Sequence, residues 1–162
     1  MPYNLHIVLV EPQIPANTGS VGRVCVATET SLHLVEPLGF EISDPQVKRA
    51  GLDYWQYLSV SRHQNLGALL NAIPHDAPKV FFSTKARRTY FEHRFEEGSY
   101  LFFGSETAGL PDEIFTSYPN QIFRIPQYDT RVRSLNLANS VSIVVYEAIR
   151  QLEARATPLH RG

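Results

Sequence analysis

The sequence predicts an α/β domain with a mainly parallel sheet and helices on both of its faces. Three observations carry that expectation. Short apolar runs at residues 5–10, 32–35, 80–83, 100–103 and 122–125 lack polar alternation, the mark of strands covered on both sides. Segments with helical spacing separate most of these runs. Runs and helices also alternate along the chain, the order that strand-to-strand crossovers through a helix produce.

The first run, residues 5–10, is stopped by Glu11 and Pro12. Asn17, Thr18 and Gly19 then supply cap-type residues before Val21, Val24, Cys25 and Thr28, which share one helical face. The second run ends at Pro37 and Gly39, and Pro45, suited to a first helical turn, opens a short helix over residues 45–50. Leu66, Leu69, Leu70 and Ile73 mark another amphipathic helix. Between the strands at 80–83 and 100–103, the polar and basic stretch 84–98 reads as a long surface loop or lid. Pro111, Asp112 and Glu113 open a short helix, 122–125 is the last strand, and 137–152 carries the longest helical pattern. Residues 1–155 are therefore expected to form a single domain, with 156–162 a loose C-terminal tail.

At 162 residues and 43% hydrophobic composition, the chain can bury a full core within the usual size of one domain. Its single cysteine, Cys25, excludes an internal disulfide, and no Cys/His spacing fits a structural zinc, so no metal is expected. Glu11, Pro12 and Pro15 interrupt the place of a signal-peptide core, and no stretch approaches a membrane span. A soluble cytoplasmic protein with no membrane attachment is expected. A net charge of −1 gives no global pull toward nucleic acid. Positive charge still clusters locally, at Lys48 and Arg49, Arg62 and His63, Lys85, Arg87 and Arg88, His93 and Arg94, Arg131 and Arg133, and His160 and Arg161, which keeps a polyanionic partner in view.

Three segments can carry chemistry. The loop from Phe103 to Pro111 leaves a buried strand, and Gly104 and Gly109 let backbone approach a ligand closely. It has neither the spacing of a dinucleotide fingerprint nor the lysine of a phosphate-cradling loop, so the ligand type stays open, as does a plain tight turn. After Ile125 and Pro126, the small polar residues Ser134, Asn136, Asn139, Ser140 and Ser142 crowd the start of the last helix, where they can serve a ligand's polar edge or the helix's own unpaired amides. Near the N-terminus, Arg23 stands on an otherwise apolar helix with few acids nearby, a setting in which a guanidinium seeks an anion.

Taken in order, Pro15, Asn17, Gly19 and Arg23, then Phe103 to Pro111, then Ile125-Pro126 with Ser134-Leu135-Asn136 and Ser140-Val141 to Tyr146-Glu147, resemble the three motifs of the SPOUT superfamily of RNA methyltransferases. The stretches His33 to Phe40 and Arg49 to Tyr54 look like its tRNA (cytidine(34)-2′-O)-methyltransferase branch in particular. The resemblance runs from about Leu5 to Leu152. It implies a Rossmann-like sheet with a C-terminal trefoil knot, a homodimer, S-adenosyl-L-methionine (AdoMet) as cofactor, and methyl transfer to the ribose of cytidine or uridine at the wobble position of a tRNA anticodon loop. It assigns catalysis to Arg23 with Asn17, and cofactor binding to Phe82, Gly104, Glu106, Gly109, Ile125, Ser134, Leu135 and Asn139. RNA phosphates would fall to Arg62, Lys85, Arg87, Arg88, Arg131 and Arg133, and Tyr90, Phe91 and Tyr128 are candidate stacking faces for bases. The same motifs serve enzymes acting on another tRNA or rRNA position, and a non-catalytic AdoMet- or RNA-binding knot protein would share the fold. Retention of Arg23, Asn17, Glu106 and Asn136 favours an enzyme. Arg87-Arg88 with Tyr90-Phe91 make the loop after residue 83 more basic and aromatic than the branch pattern.

Overall fold

A computed structural model describes residues 2–156. The expected tail, with His160 and Arg161, lies outside the described residues apart from Ala156, which closes the last helix. Six strands form one sheet: β1 (His6–Val10), β2 (Ser31–Val35), β3 (Val60–His63), β4 (Lys79–Phe82), β5 (Tyr100–Phe103) and β6 (Ile122–Phe123). Their spatial order is β3-β2-β1-β5-β4-β6, and every pairing is parallel. The helices are α1 (Pro15–Ala27), α2 (Pro45–Gly51), α3 (Leu66–Ala72), α4 (Asp112–Ser117) and α5 (Leu137–Ala156).

Helices cover both faces, as the unalternating apolar strands require. On one face, Val21 and Cys25 of α1 and Val141, Val144, Val145 and Ala148 of α5 pack with Ile7, Leu9, Leu32, Leu34, Leu101 and Phe103. On the other, Leu66 and Leu69 of α3 and Ile114 of α4 pack with Val8, Val10, Val35, Phe81 and Phe102. Burial pushes the Cys25 thiol up to about 12, so it is an inert core residue.

Two expectations are corrected. Strand β3 escapes sequence reading because it is an edge strand whose Ser61 and Arg62 face solvent; Arg62 pairs there with Glu36 at 2.8 Å. Residues 84–98 are not a free lid. Tyr90 and Phe95 are buried, Tyr90 N donates to Arg124 O, and Gln151 of α5 accepts from Phe95 N while donating to His93 O. Aromatic anchors spaced among charged residues tie this segment to the core while its basic side chains stay outside. The start of α1 also shifts. Pro15 opens the helix, so Asn17 and Thr18 lie within its first turn rather than capping it.

Three histidines on adjacent strands form a ladder toward the α3 face. His6 Nε2 donates to the Asn4 side-chain carbonyl at 3.2 Å, which leaves His6 Nδ1 to accept from His33 Nε2 at 2.9 Å. His33 Nδ1 in turn accepts from His63 Nε2 at 3.0 Å, and Tyr100 stacks on His6. Accepting through Nδ1 requires neutral rings at His6 and His33. Burial lowers all three titrations below the ordinary 6.5, that of His33 to about 4, with His6 and His63 adding repulsion. The folded chain thus binds fewer protons than the unfolded chain between these values, so stability is full above pH 6.5 and falls as the pH drops toward 4. We expect unfolding free energy to decrease by about 2 kcal/mol between pH 7 and pH 5, read from urea midpoints. A His33→Asn chain should flatten that slope. An unchanged midpoint across the range would contradict the ladder.

Candidate active site

Because all strands run parallel, their carboxyl ends share one edge, where loops leaving β4, β5 and β6 converge. The loop after β5 is closed on itself. Gly109 N donates to Ser105 O at 3.0 Å, Ser105 N donates to Gly109 O at 3.3 Å, and Gly109 adopts φ +69°. Gly104 lies directly against this closure. A Cβ there would sit 2.1 Å from the Gly109 carbonyl carbon and 2.3 Å from Leu110 N, a space only glycine fits.

Glu106 reaches out of the loop to the start of α1. Its carboxylate accepts from Gln13 N at 2.9 Å, Ile14 N at 2.8 Å and Asn17 Nδ2 at 3.2 Å. Negative charge is favourable at a helix start, which is why the turn before Pro15 needs no side chain of its own to cap it. Asn17 Oδ1 accepts from Asn136 Nδ2 at 3.0 Å, and Asn136 Oδ1 accepts from Ala138 N at 2.9 Å and Asn139 N at 3.3 Å. One hydrogen-bonded chain therefore joins the three segments singled out in the sequence.

A cavity of about 710 Å³ opens among them. Of the expected cofactor residues, Phe82, Gly104, Glu106, Gly109, Ile125, Ser134 and Leu135 line it, and so does Asn17. Asn139 does not; it is exposed at the start of α5, with its amide taken by Asn136. Phe82 and Phe103, stacked at 5.0 Å between ring centroids, form an apolar wall with Leu110 and Leu137. Ile14, Thr84, Phe115 and Gln127 also line the cavity and were not singled out, because nothing local in the sequence marks which loops meet.

Arg23 is absent from the lining. It lies on the exposed side of α1, its guanidinium 5.4 Å from the Tyr54 ring centroid. The basic candidates divide. Lys85 and Arg133 line the cavity, and Arg87 is exposed on the segment following β4. Arg88 is engaged, donating to Asn120 O at 2.6 Å over the Phe123 ring. Arg131 forms a fork with Asp129 and holds that carboxyl below its usual range. Arg62 lies at the opposite edge of the sheet. Of the aromatic candidates, Tyr90 is buried, while Phe91 and Tyr128 are exposed. Among the described residues, no cluster of His, Cys, Asp or Glu could hold a metal, and no helix is long and apolar enough to cross a membrane.

Residues 4–146 match the model of the SpoU rRNA Methylase family. The chain belongs to that family. The tRNA (cytidine(34)-2′-O)-methyltransferase of Aeromonas hydrophila is 48% identical to this chain over 151 residues, covering 91% of this chain and 94% of the relative. A solved structure described as "Structural insights into the 2-OH methylation of C/U34 on tRNA" superposes with a TM-score of 0.90 at 44% identity, covering 95% of this chain and 99% of the other. An AdoMet-bound rRNA methyltransferase from Sinorhizobium meliloti is 25% identical with a TM-score of 0.82, over 92% of this chain and 57% of the other. The family resemblance read from the motifs is thus borne out over nearly the whole chain.

Proposed function

We propose that this protein is an AdoMet-dependent tRNA 2′-O-methyltransferase acting on the ribose of cytidine or uridine at wobble position 34. The carrying observation is the 710 Å³ cavity built jointly by the three motif segments, in a chain 48% identical to a relative named for that reaction. The residues present fit the cofactor. Gly104 lets the 105–109 closure pack against it where a Cβ would collide with Gly109 and Leu110 backbone, Phe82, Phe103 and Leu137 give an apolar slot for an adenine, and Ser134 and Gln127 add polar edges. When bound, AdoMet supplies an already activated methyl group, so the protein's share is positioning and electrostatics.

Asn17 and Glu106 act as positioning residues, since their polar groups are spent on holding α1, the β5 loop and α5 together. A guanidinium donates but does not accept, so Arg23 orients the substrate and stabilises negative charge on the ribose oxygen, whose proton passes to a neighbouring phosphate or water. Lys85, Arg87 and Arg133 serve RNA phosphates. A homodimer follows from the same reading. Ile14, Tyr54, Ile143 and Tyr146 expose apolar surface on and beside α1 and α5, and a partner seated there would receive Arg23 at its cavity. The C-terminal segment is knotted in this reading: β6 is the edge strand beyond β4, yet α5 returns to pack on α1, so the intervening chain crosses the loops after β4 and β5. Residues 1–155 form the single catalytic domain of a cytoplasmic enzyme.

The test is methyl transfer from labelled AdoMet to unmodified tRNAs, mapped by nuclease digestion and mass spectrometry. The label should appear on the 2′-oxygen of nucleotide 34. Label at another position, or none, would overturn the assignment.

A further inference from the structure

A second cavity, of about 250 Å³, lies between the end of β6 and the turn over residues 127–133. It opens into the first, sharing Thr84, Ile125, Gln127 and Arg133 with it. Its volume falls below the roughly 300–1,000 Å³ of pockets for whole small molecules, which suits part of a larger ligand continuing from the first cavity.

Its charge is one-sided. Arg124 and Arg133 are both exposed and engage no carboxylate among the described residues. The one carboxylate in the lining, Asp129, is closed by Arg131, whose Nε and Nη2 donate to its oxygens at 3.0 and 2.6 Å. Two guanidinium charges therefore stay uncompensated in a small recess. The planar donor forks of guanidinia match the two non-bridging oxygens of a phosphodiester better than any neutral group does. Tyr128, set between the lining residues Gln127 and Asp129, is 91% exposed at the rim.

We propose that this recess is the phosphate seat of the RNA substrate. Arg124 and Arg133 clamp the phosphodiester beside the ribose that faces the donor cavity, and Tyr128 offers a face to the adjoining unstacked base. Arg131 shapes the turn by neutralising Asp129 and takes no phosphate itself. The proposal rests on the RNA methyltransferase reading above.

The test uses Arg124→Gln, Arg133→Gln and Arg124→Lys in the full chain, with Lys48→Gln on α2 as a charge control. Affinity for a tRNA and for an anticodon stem-loop RNA is measured by anisotropy across a salt series, and AdoMet affinity by calorimetry. Each Gln variant should bind RNA about 5–30-fold more weakly and lose about 0.7–1 from the slope of log affinity against log salt. Arg124→Lys should restore the slope, and the AdoMet affinity of Arg124→Gln and the Lys48→Gln slope should match the unsubstituted chain. RNA affinity and slope unchanged in both Gln variants would overturn the seat, as would a parallel loss of AdoMet binding in Arg124→Gln, which reports a structural role. If the unsubstituted chain transfers no methyl to tRNA yet the slopes fall as stated, the recess stands and the enzyme reading fails. If methylation is normal and the slopes hold, the recess alone fails.

Discussion

A Gly104→Ala chain is expected to lose AdoMet affinity by about 100-fold or more, close to 3 kcal/mol, when titrated by calorimetry. The added methyl carbon would fall 2.1 Å from the Gly109 carbonyl carbon and 2.3 Å from Leu110 N, and both obstacles are backbone. Relief requires opening the 105–109 closure, which is the floor of the donor cavity. Strand pairing ahead of it, from Tyr100 to Phe103, is untouched, so the chain should remain folded with a cost of about 1–3 kcal/mol, the usual scale for overpacking. Gly109→Ala is the informative contrast. No atom lies within 4 Å of a Cβ built there, and only the φ of +69° resists, worth about 1 kcal/mol. Near-native AdoMet affinity in the Gly104→Ala chain would remove this loop from the cofactor site.

Arg23→Ala should leave AdoMet affinity unchanged and cut methyl transfer by about 100- to 1,000-fold, the scale of losing one charge-stabilising donor. Both halves of that expectation come from its placement, away from its own chain's cavity and on the exposed side of α1. The arrangement also makes mixing diagnostic. Co-expressed Arg23→Ala and Gly104→Ala chains, each inactive alone, can form a mixed dimer with one intact cavity served by the other chain's arginine. Random pairing of equal amounts should recover about a quarter of full activity. Mixtures as inactive as the separate variants would rule out Arg23 acting across a dimer, and full turnover in Arg23→Ala would remove it from the chemistry.

What could be read from the sequence followed burial. β1, β2, β4 and β5 are mostly apolar and buried because helices cover both faces, and their runs stood out. β3 carries Ser61 and Arg62 at an edge and gave no such run. Residues lining the cavity were legible where backbone demands were unusual, at Gly104 and Gly109, or where small polar residues crowded a helix start. Thr84 and Gln127 were not, since their roles come only from which loops meet. Among the charged residues, type and clustering singled out candidates but not their partners. Arg62 and Arg131 are each held by a carboxylate, whereas Arg124, which drew no notice in the sequence, engages none among the described residues.

The carboxylate of Glu106 holds two backbone amides before α1 and the Asn17 side chain at once. In the proposed assembly, this single pin thus fastens the helix that would face a second protomer to the loop beside the proposed methyl-donor site. On that proposal neither is tuned in isolation: a change that tilts α1 to suit a new partner would drag the floor of the cavity with it, so assembly and cofactor fit would be inherited together.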